Sequence, residues 1–241
     1  MSSVIAGMYC MTSFAQQQQP IAPYLDAAET KEVREESFSY TSEQFADIGI
    51  LRYTIPGWDK LTLNQKILVY YLTEAGYAGR DIIWDQNYRY NLEIRNALEH
   101  IVTHYTGDKT SAEWAEFMVY TKRVWFSNGI HHHYSTDKIM PGCSKSYFML
   151  LVKSTGAQID PKVIDILFDP AIDAKKVNLD PKDDLLLTSA TNFYAPDVSQ
   201  KDVEAYYATR VDLNDPEPIS HGLNSRMIKT DKGLVEVVYK V

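Results

Sequence analysis

The sequence predicts an α+β fold, mainly helical with a C-terminal β-hairpin. Three observations carry that expectation. Apolar residues recur at helical spacing in several segments between Thr62 and Ala208. Capping and stop signals bracket those segments. The last stretch, "NSRMIKTDKGLVEVVYKV", instead places two β-rich runs around Asp231 to Gly233.

At 241 residues the chain suffices for one large domain or two small ones. With 45% apolar and 23% charged residues it is globular in composition rather than disordered. The formal net charge of -8, with no dense Lys/Arg cluster, sets nucleic acid aside as a partner.

Residues 1–15 resemble a signal peptide. "VIAGMYCMTSF" (Val4 to Phe14) is uncharged and mostly apolar, and Ser13-Phe14-Ala15 before Gln16 reads as a cleavage site. The first basic residue is Lys31, so a positive leading region is missing. The expectation is export to the periplasm, with a cytoplasmic location as the alternative. Tyr9, where a lipoprotein needs a small residue before Cys10, excludes that class. Once the leader is removed, Cys143 has no cysteine to pair with. No stretch approaches the roughly 18 apolar residues of a membrane span.

Residues 16–38 read as a polar, Pro-interrupted linker, and 39–241 as the folded portion. Thr62-x-x-Gln65 is a capping box, followed by the stripe Leu63, Ile67, Tyr70, Tyr71, Leu72. Leu92 to Tyr105 places Ile94, Leu98, Ile101, Val102 and Tyr105 on one face of a second helix. Thr110-x-x-Glu113 opens a third, carrying Trp114, Phe117, Tyr120, Val124 and Trp125, which stops at Asn128-Gly129. Ser144 to Ser154 is helical with Gly156 behind it, and Asp160-Pro161 starts a short helix. Ser199-x-x-Asp202 opens another, "QKDVEAYYA", and the hairpin ends the sequence. Val241 falls inside the second strand, so the sequence reads as the front part of a longer chain.

The candidates for chemistry are mostly histidines. His131-His132-His133 stand side by side before Asp137. In an extended loop His131 and His133 share a side and His132 takes the other, so His131 and His133 are the metal candidates. A zinc site needs three or four fixed ligands, and a histidine loop beside a cleft is the simpler reading. Asn128, His132 and Tyr134 are then the candidates for its lining. His100 and His104 lie four apart on a helix, but the residue after His100 is Ile101 rather than the glutamate a zinc peptidase uses there. Cys143 has no base at a recognisable spacing, and no serine sits in a Gly-x-Ser-x-Gly turn. No complete active site emerges from motifs.

Three stretches together resemble a known family: "LTLNQKILVYYLTEAGYAGRDIIWDQNYRYNLEIR" (Leu61 to Arg95), "YTKRVWFSNGIHHHYSTDKIMP" (Tyr120 to Pro141) and "HGLNSRMIKTDKGLVEVVYKV" (His221 to Val241). The chain looks like the N-terminal part of a bacterial, Bacteroides-like dipeptidyl-peptidase III, a zinc metallopeptidase that removes dipeptides from the amino end of oligopeptides. The resemblance implies two lobes around a wide cleft, with zinc held by a His-Glu-x-x-Gly-His motif. None of the six histidines here is followed by glutamate. This stretch is therefore expected to be part of the first lobe, with no catalytic residue, no bound zinc and no activity alone. Its implied partners are the zinc-binding lobe and, through the complete enzyme, an oligopeptide. The other readings are a peptide- or partner-binding module without activity, and a small metal-binding protein using His131 to His133.

Overall fold

A computed structural model of the chain describes residues 38–212, 214–216 and 225–238. The signal-like segment, nearly all of the linker, and His221 lie outside them. The chain divides into two compact units, one up to Val69 and one from Tyr70.

The described part of the first unit opens with a β-hairpin, β1 (Thr41–Phe45) against β2 (Ile48–Leu51), antiparallel with a bulge between Thr41 and Glu43. The hairpin turns at Ala46, which takes a positive φ of 49°. Arg52 closes its base, its backbone N–H donating to the Tyr40 carbonyl at 2.8 Å and its Nε to the Ser39 carbonyl at 2.7 Å. A 3₁₀ turn, Trp58–Lys60, leads to Thr62. There the expected capping box forms: the Thr62 N–H donates to Gln65 Oε1 at 2.8 Å, and the Gln65 N–H to Thr62 Oγ1 at 3.3 Å. Helix α1 (Leu63–Ala78) follows and continues into the second unit. Among the described residues its apolar stripe is not buried, and Leu72 is 62% exposed.

The second unit is built on helices. After α1 come α2 (Arg80–Asn87), α3 (Asn91–His104), α4 (Ala112–Ser127), α5 (Lys145–Thr155), α6 (Pro161–Phe168) and α7 (Gln200–Ala208). Helix α3 is central and packs on α2, α4 and α5. Its stripe Ile94, Leu98, Ile101 is fully buried, with Phe117 and Val124 of α4, Phe148 and Leu151 of α5, and Val163 and Leu167 of α6. Side-chain oxygens cap α5, α6 and α7 as the sequence requires. Ser144 accepts from the Tyr147 N–H, Asp160 from Lys162, and Ser199 from Asp202 in a full capping box. Helix α4 starts one residue later than expected, because Ser111 rather than Thr110 presents the oxygen to the Trp114 N–H.

Lys138 holds the far end of α6. Its ammonium donates to the Ile166 carbonyl at 3.0 Å and to those of Asp169 and Ile172, just beyond the helix. A cation belongs there, where the last carbonyls of a helix carry partial negative charge. Lys138→Met keeps the stem and removes all three bonds. It is expected to cost roughly 2 kcal/mol in urea unfolding, the net worth of a few charge-assisted hydrogen bonds on a half-exposed group. An unchanged midpoint would refute that role.

The C-terminal hairpin forms where the sequence places it, with β3 (Ser225–Thr230) antiparallel to β4 (Gly233–Val238). Two strands alone are marginal, and this pair has further support. The Met227 N–H donates to the Phe193 carbonyl and the Ala195 N–H to that of Met227, each at 2.8 Å, so the segment before α7 runs along the free side of β3. Glu236 accepts from Tyr207 Oη of α7 at 2.7 Å, and Lys229 pairs with Asp202 at 2.7 Å.

Candidate functional site

The histidine loop begins where α4 ends. Asn128 takes the left-handed conformation (φ 51°, ψ 44°), its N–H donating to the Trp125 and Val124 carbonyls. Gly129 follows at φ 145°, with its N–H on the Val124 carbonyl at 3.0 Å. Asn91, 0% exposed, clasps this corner. Its Nδ2 donates to the Trp84 carbonyl at 3.0 Å and the Asn128 carbonyl at 3.4 Å, while Oδ1 accepts from the Ile130 N–H at 3.2 Å. Asn87 Nδ2 adds a second bond to the Asn128 carbonyl at 3.0 Å.

From this corner the chain runs out and back as a narrow loop. The Ile139 N–H donates to the Ile130 carbonyl and the His132 N–H to that of Asp137, each at 2.7 Å. The residues between them close a turn in which Thr136 has φ 61°. The returning limb pairs on its other side with 174–176, through Lys138 N–H to the Ala174 carbonyl at 2.9 Å and Lys176 N–H to that of Thr136 at 2.8 Å.

The three imidazoles end in three different environments. His131 is 2% exposed. Its Nε2 donates to the Asp173 carbonyl at 2.8 Å, and its ring stands edge-on to Tyr88 at 5.4 Å. Burial lowers its pKa from 6.5 to about 4, so it is neutral at pH 7. Asp173, at φ 49°, is the hub of this layer: Tyr88 Oη donates to its Oδ2 at 2.6 Å and Arg89 Nη2 to the same oxygen at 3.0 Å. Burial, and then the bond to Asp173, push the Tyr88 phenol well above its ordinary range.

His132 is half-buried and serves the turn. Its Nδ1 accepts from the N–H groups of Tyr134 at 3.2 Å and Ser135 at 3.1 Å, which commits that nitrogen to the backbone. His133 lies edge-on against Phe126 at 4.9 Å and beside His132 at 4.4 Å. Burial, followed by the neighbouring His132 and Lys176 charges, lowers its pKa.

The extended-loop expectation, with His131 and His133 on one side, is therefore corrected. The chain turns after His132, so His132 and His133 are neighbours while His131 faces the core. His131 has given its Nε2 to a carbonyl, and Asp137 is paired with Lys175. Among the described residues, no group of three or more His, Cys, Asp or Glu is placed to hold a metal.

Of the cleft candidates, the structure brings His132 and Tyr134 together, ring centroids 6.3 Å apart, with Tyr134 85% exposed. Asn128 is bound through its carbonyl to Asn87 and Asn91 instead. His100 and His104 stack nearly parallel at 4.0 Å. Ring-nitrogen lone pairs lie in the ring planes, so these do not converge on one ion. His100 Nε2 donates to the Thr155 carbonyl at 2.9 Å and His104 Nδ1 to that of His100 at 2.9 Å. The Cys143 thiol is buried and pushed up to about 11, first by burial and then by Glu113, which leaves it protonated and unreactive at neutral pH.

Asn91, Asp173 and Tyr88 organise the loop and escape a reading of spacing. One signal was available: Asn and Asp are the residues that most readily take left-handed corners, as Asn128 and Asp173 do here. Compared with known proteins, the chain matches no family model and no curated protein. No helix of the described residues is long and apolar enough to cross a membrane.

Proposed function

We infer that this chain is an amino-terminal, non-catalytic portion of a zinc-dependent dipeptidyl-peptidase of the dipeptidyl-peptidase III kind, a scaffold that supports catalysis performed elsewhere in the enzyme. The observation that carries the reading is the likeness of the three stretches Leu61 to Arg95, Tyr120 to Pro141 and His221 to Val241. The histidine loop agrees with a structural part, since His131 and His132 spend ring nitrogens on backbone groups. Helix α1 agrees as well. A helix that is apolar on most sides is ordinarily covered, and α1 carries Leu63, Ile67, Leu68, Tyr70 and Leu72 exposed among the described residues. In this reading the zinc-bearing lobe supplies the cover. When bound there, zinc lowers the pKa of a water and polarises the scissile carbonyl. The residues described here position that lobe and take no part in the proton transfers.

The test has two arms. The purified 241-residue chain is assayed for dipeptide release from a dipeptidyl-arylamide, with its zinc counted. No release and well under one zinc per chain are expected. The protein isolated from its source is expected to be heavier than 27.6 kDa and to carry about one zinc. Cleavage by the short chain at an ordinary enzyme rate would sink the proposal. A native mass near 27.6 kDa without zinc would make the chain a peptide- or partner-binding module, with the exposed face of α1 as its contact.

A further inference from the structure

We propose that the Asn128–Gly129 peptide is a latent deamidation site, held unreactive by the fold and released when the end of α4 opens. It is the sequence's single Asn-Gly pair. In a mobile chain that pair reacts readily because glycine puts no side chain in the way. The Gly129 nitrogen, having lost its proton to solvent base, attacks Asn128 Cγ. A C–N bond forms, the bond to the side-chain nitrogen breaks, and ammonia leaves. Water then opens the resulting succinimide at either carbonyl. The product is aspartate, or isoaspartate with the main chain rerouted through the side chain. No electrons are gained or lost.

The corner opposes each requirement. The Gly129 N–H is donated to the Val124 carbonyl at 3.0 Å, so its proton is not free to leave. Gly129 is buried, which keeps base away. Attack also requires the peptide plane to rotate about Asn128 ψ until the nitrogen faces Cγ. The carbonyl end of that plane is held by Asn87 Nδ2 at 3.0 Å and Asn91 Nδ2 at 3.4 Å. Rotation therefore breaks three hydrogen bonds at once, and these fail together only when the last turn of α4 unwinds and leaves α2 and α3.

The reaction has a direction. Isoaspartate inserts an additional backbone carbon between residue 128 and Gly129, and a left-handed corner that fits φ 51° and then 145° cannot be rebuilt around it. This corner feeds Ile130 and His131 into the core, both nearly inaccessible. A chain that has stayed open long enough to become isoaspartate is then excluded from refolding, so the corner acts as a one-way marker of local unfolding.

Wild-type protein is held at mildly alkaline pH, folded in buffer or unfolded in urea, and isoaspartate at residue 128 is counted by peptide mass mapping. The folded sample is expected to react roughly a hundredfold more slowly, the combined effect of three ordinary hydrogen bonds that must break first. Equal rates would overturn the proposal. Asn87→Ala removes one bond to the Asn128 carbonyl and leaves Asn91 in place. It is expected to speed the folded-state reaction, and an unchanged rate would show that the carbonyl bonds do not guard the site. After urea is removed, isoaspartate-containing chains are expected in the aggregated fraction. Their recovery in the refolded pool at the input ratio would refute the one-way step.

Discussion

Gly129→Ala is expected to lower the free energy of unfolding by roughly 4 kcal/mol, a large share of the 5–15 kcal/mol typical of a folded domain. A Cβ at this position would stand 2.1 Å from Asn91 Nδ2 and 2.9 Å from its Oδ1. Asn91 cannot step aside, since it is buried and holds the Trp84 carbonyl and the Ile130 N–H at the same time. Displacing it leaves buried backbone groups unpaired, at about 1 kcal/mol or more each. The φ of 145° adds strain of about 1–3 kcal/mol for any residue with a Cβ. Gly142→Ala is the matched comparison. Its Cβ would meet Glu116 Oε2 at 2.2 Å, but that is the end of an exposed, flexible side chain that swings away. The cost there is expected to stay within about 0.5 kcal/mol. Urea unfolding of both variants gives the comparison, and similar losses would show that the Asn91 clasp contributes nothing.

Glycine 129 also marks what the sequence discloses and what it hides. Asn128-Gly129 announces a helix end because the αL cap is a local preference. Caps such as Ser144, Asp160 and Ser199 are readable for the same reason, since donor and acceptor lie two or three residues apart. The clasp is invisible, because Asn91 reaches Ile130 across 39 positions and Tyr88 reaches Asp173 across 85. Helix α2 is too short at 8 residues for periodicity to show. The β1–β2 hairpin is not legible in the sequence, because "TSEQF" is polar and its turn at Ala46 has no glycine. For α1 the pattern gave the helix but not its surroundings. Apolar residues at helical spacing say that a face wants cover, and do not say what supplies it.

The histidine loop was legible as a loop and illegible as chemistry. Spacing places His131 and His133 together only if the chain stays extended, and the turn after His132 depends on its imidazole accepting two backbone N–H groups. His131 was a candidate because histidine binds metals, yet burial decides its state here, and that gives the second large effect.

Stability is expected to fall by about 3 kcal/mol as pH drops from 6.5 to 4, through His131 alone. Its folded pKa is about 4, below the 6.5 of an exposed imidazole, because burial disfavours the charged ring. Between those values the unfolded chain takes up a proton that the folded chain refuses. Acid therefore favours unfolding, by up to about 1.4 kcal/mol per pH unit. Above pH 6.5 the contribution is complete, and below 4 it is spent. Lys138 and Lys176 push in the same direction as burial, while Asp173 opposes it. His131→Gln isolates this contribution, since a side-chain amide can still donate to the Asp173 carbonyl but does not titrate. Carboxylates elsewhere titrate equally in both proteins, so the difference between their stability curves reports His131. The wild type is expected to lose its lead, or extend its deficit, steadily from pH 6.5 to 4. A ring proton resonance of His131 that titrates near 6.5 in the folded protein would refute the assignment. It would mean that the ring reaches water, and that the loop opens far more readily than its bonds to Asp173 and Asp137 imply.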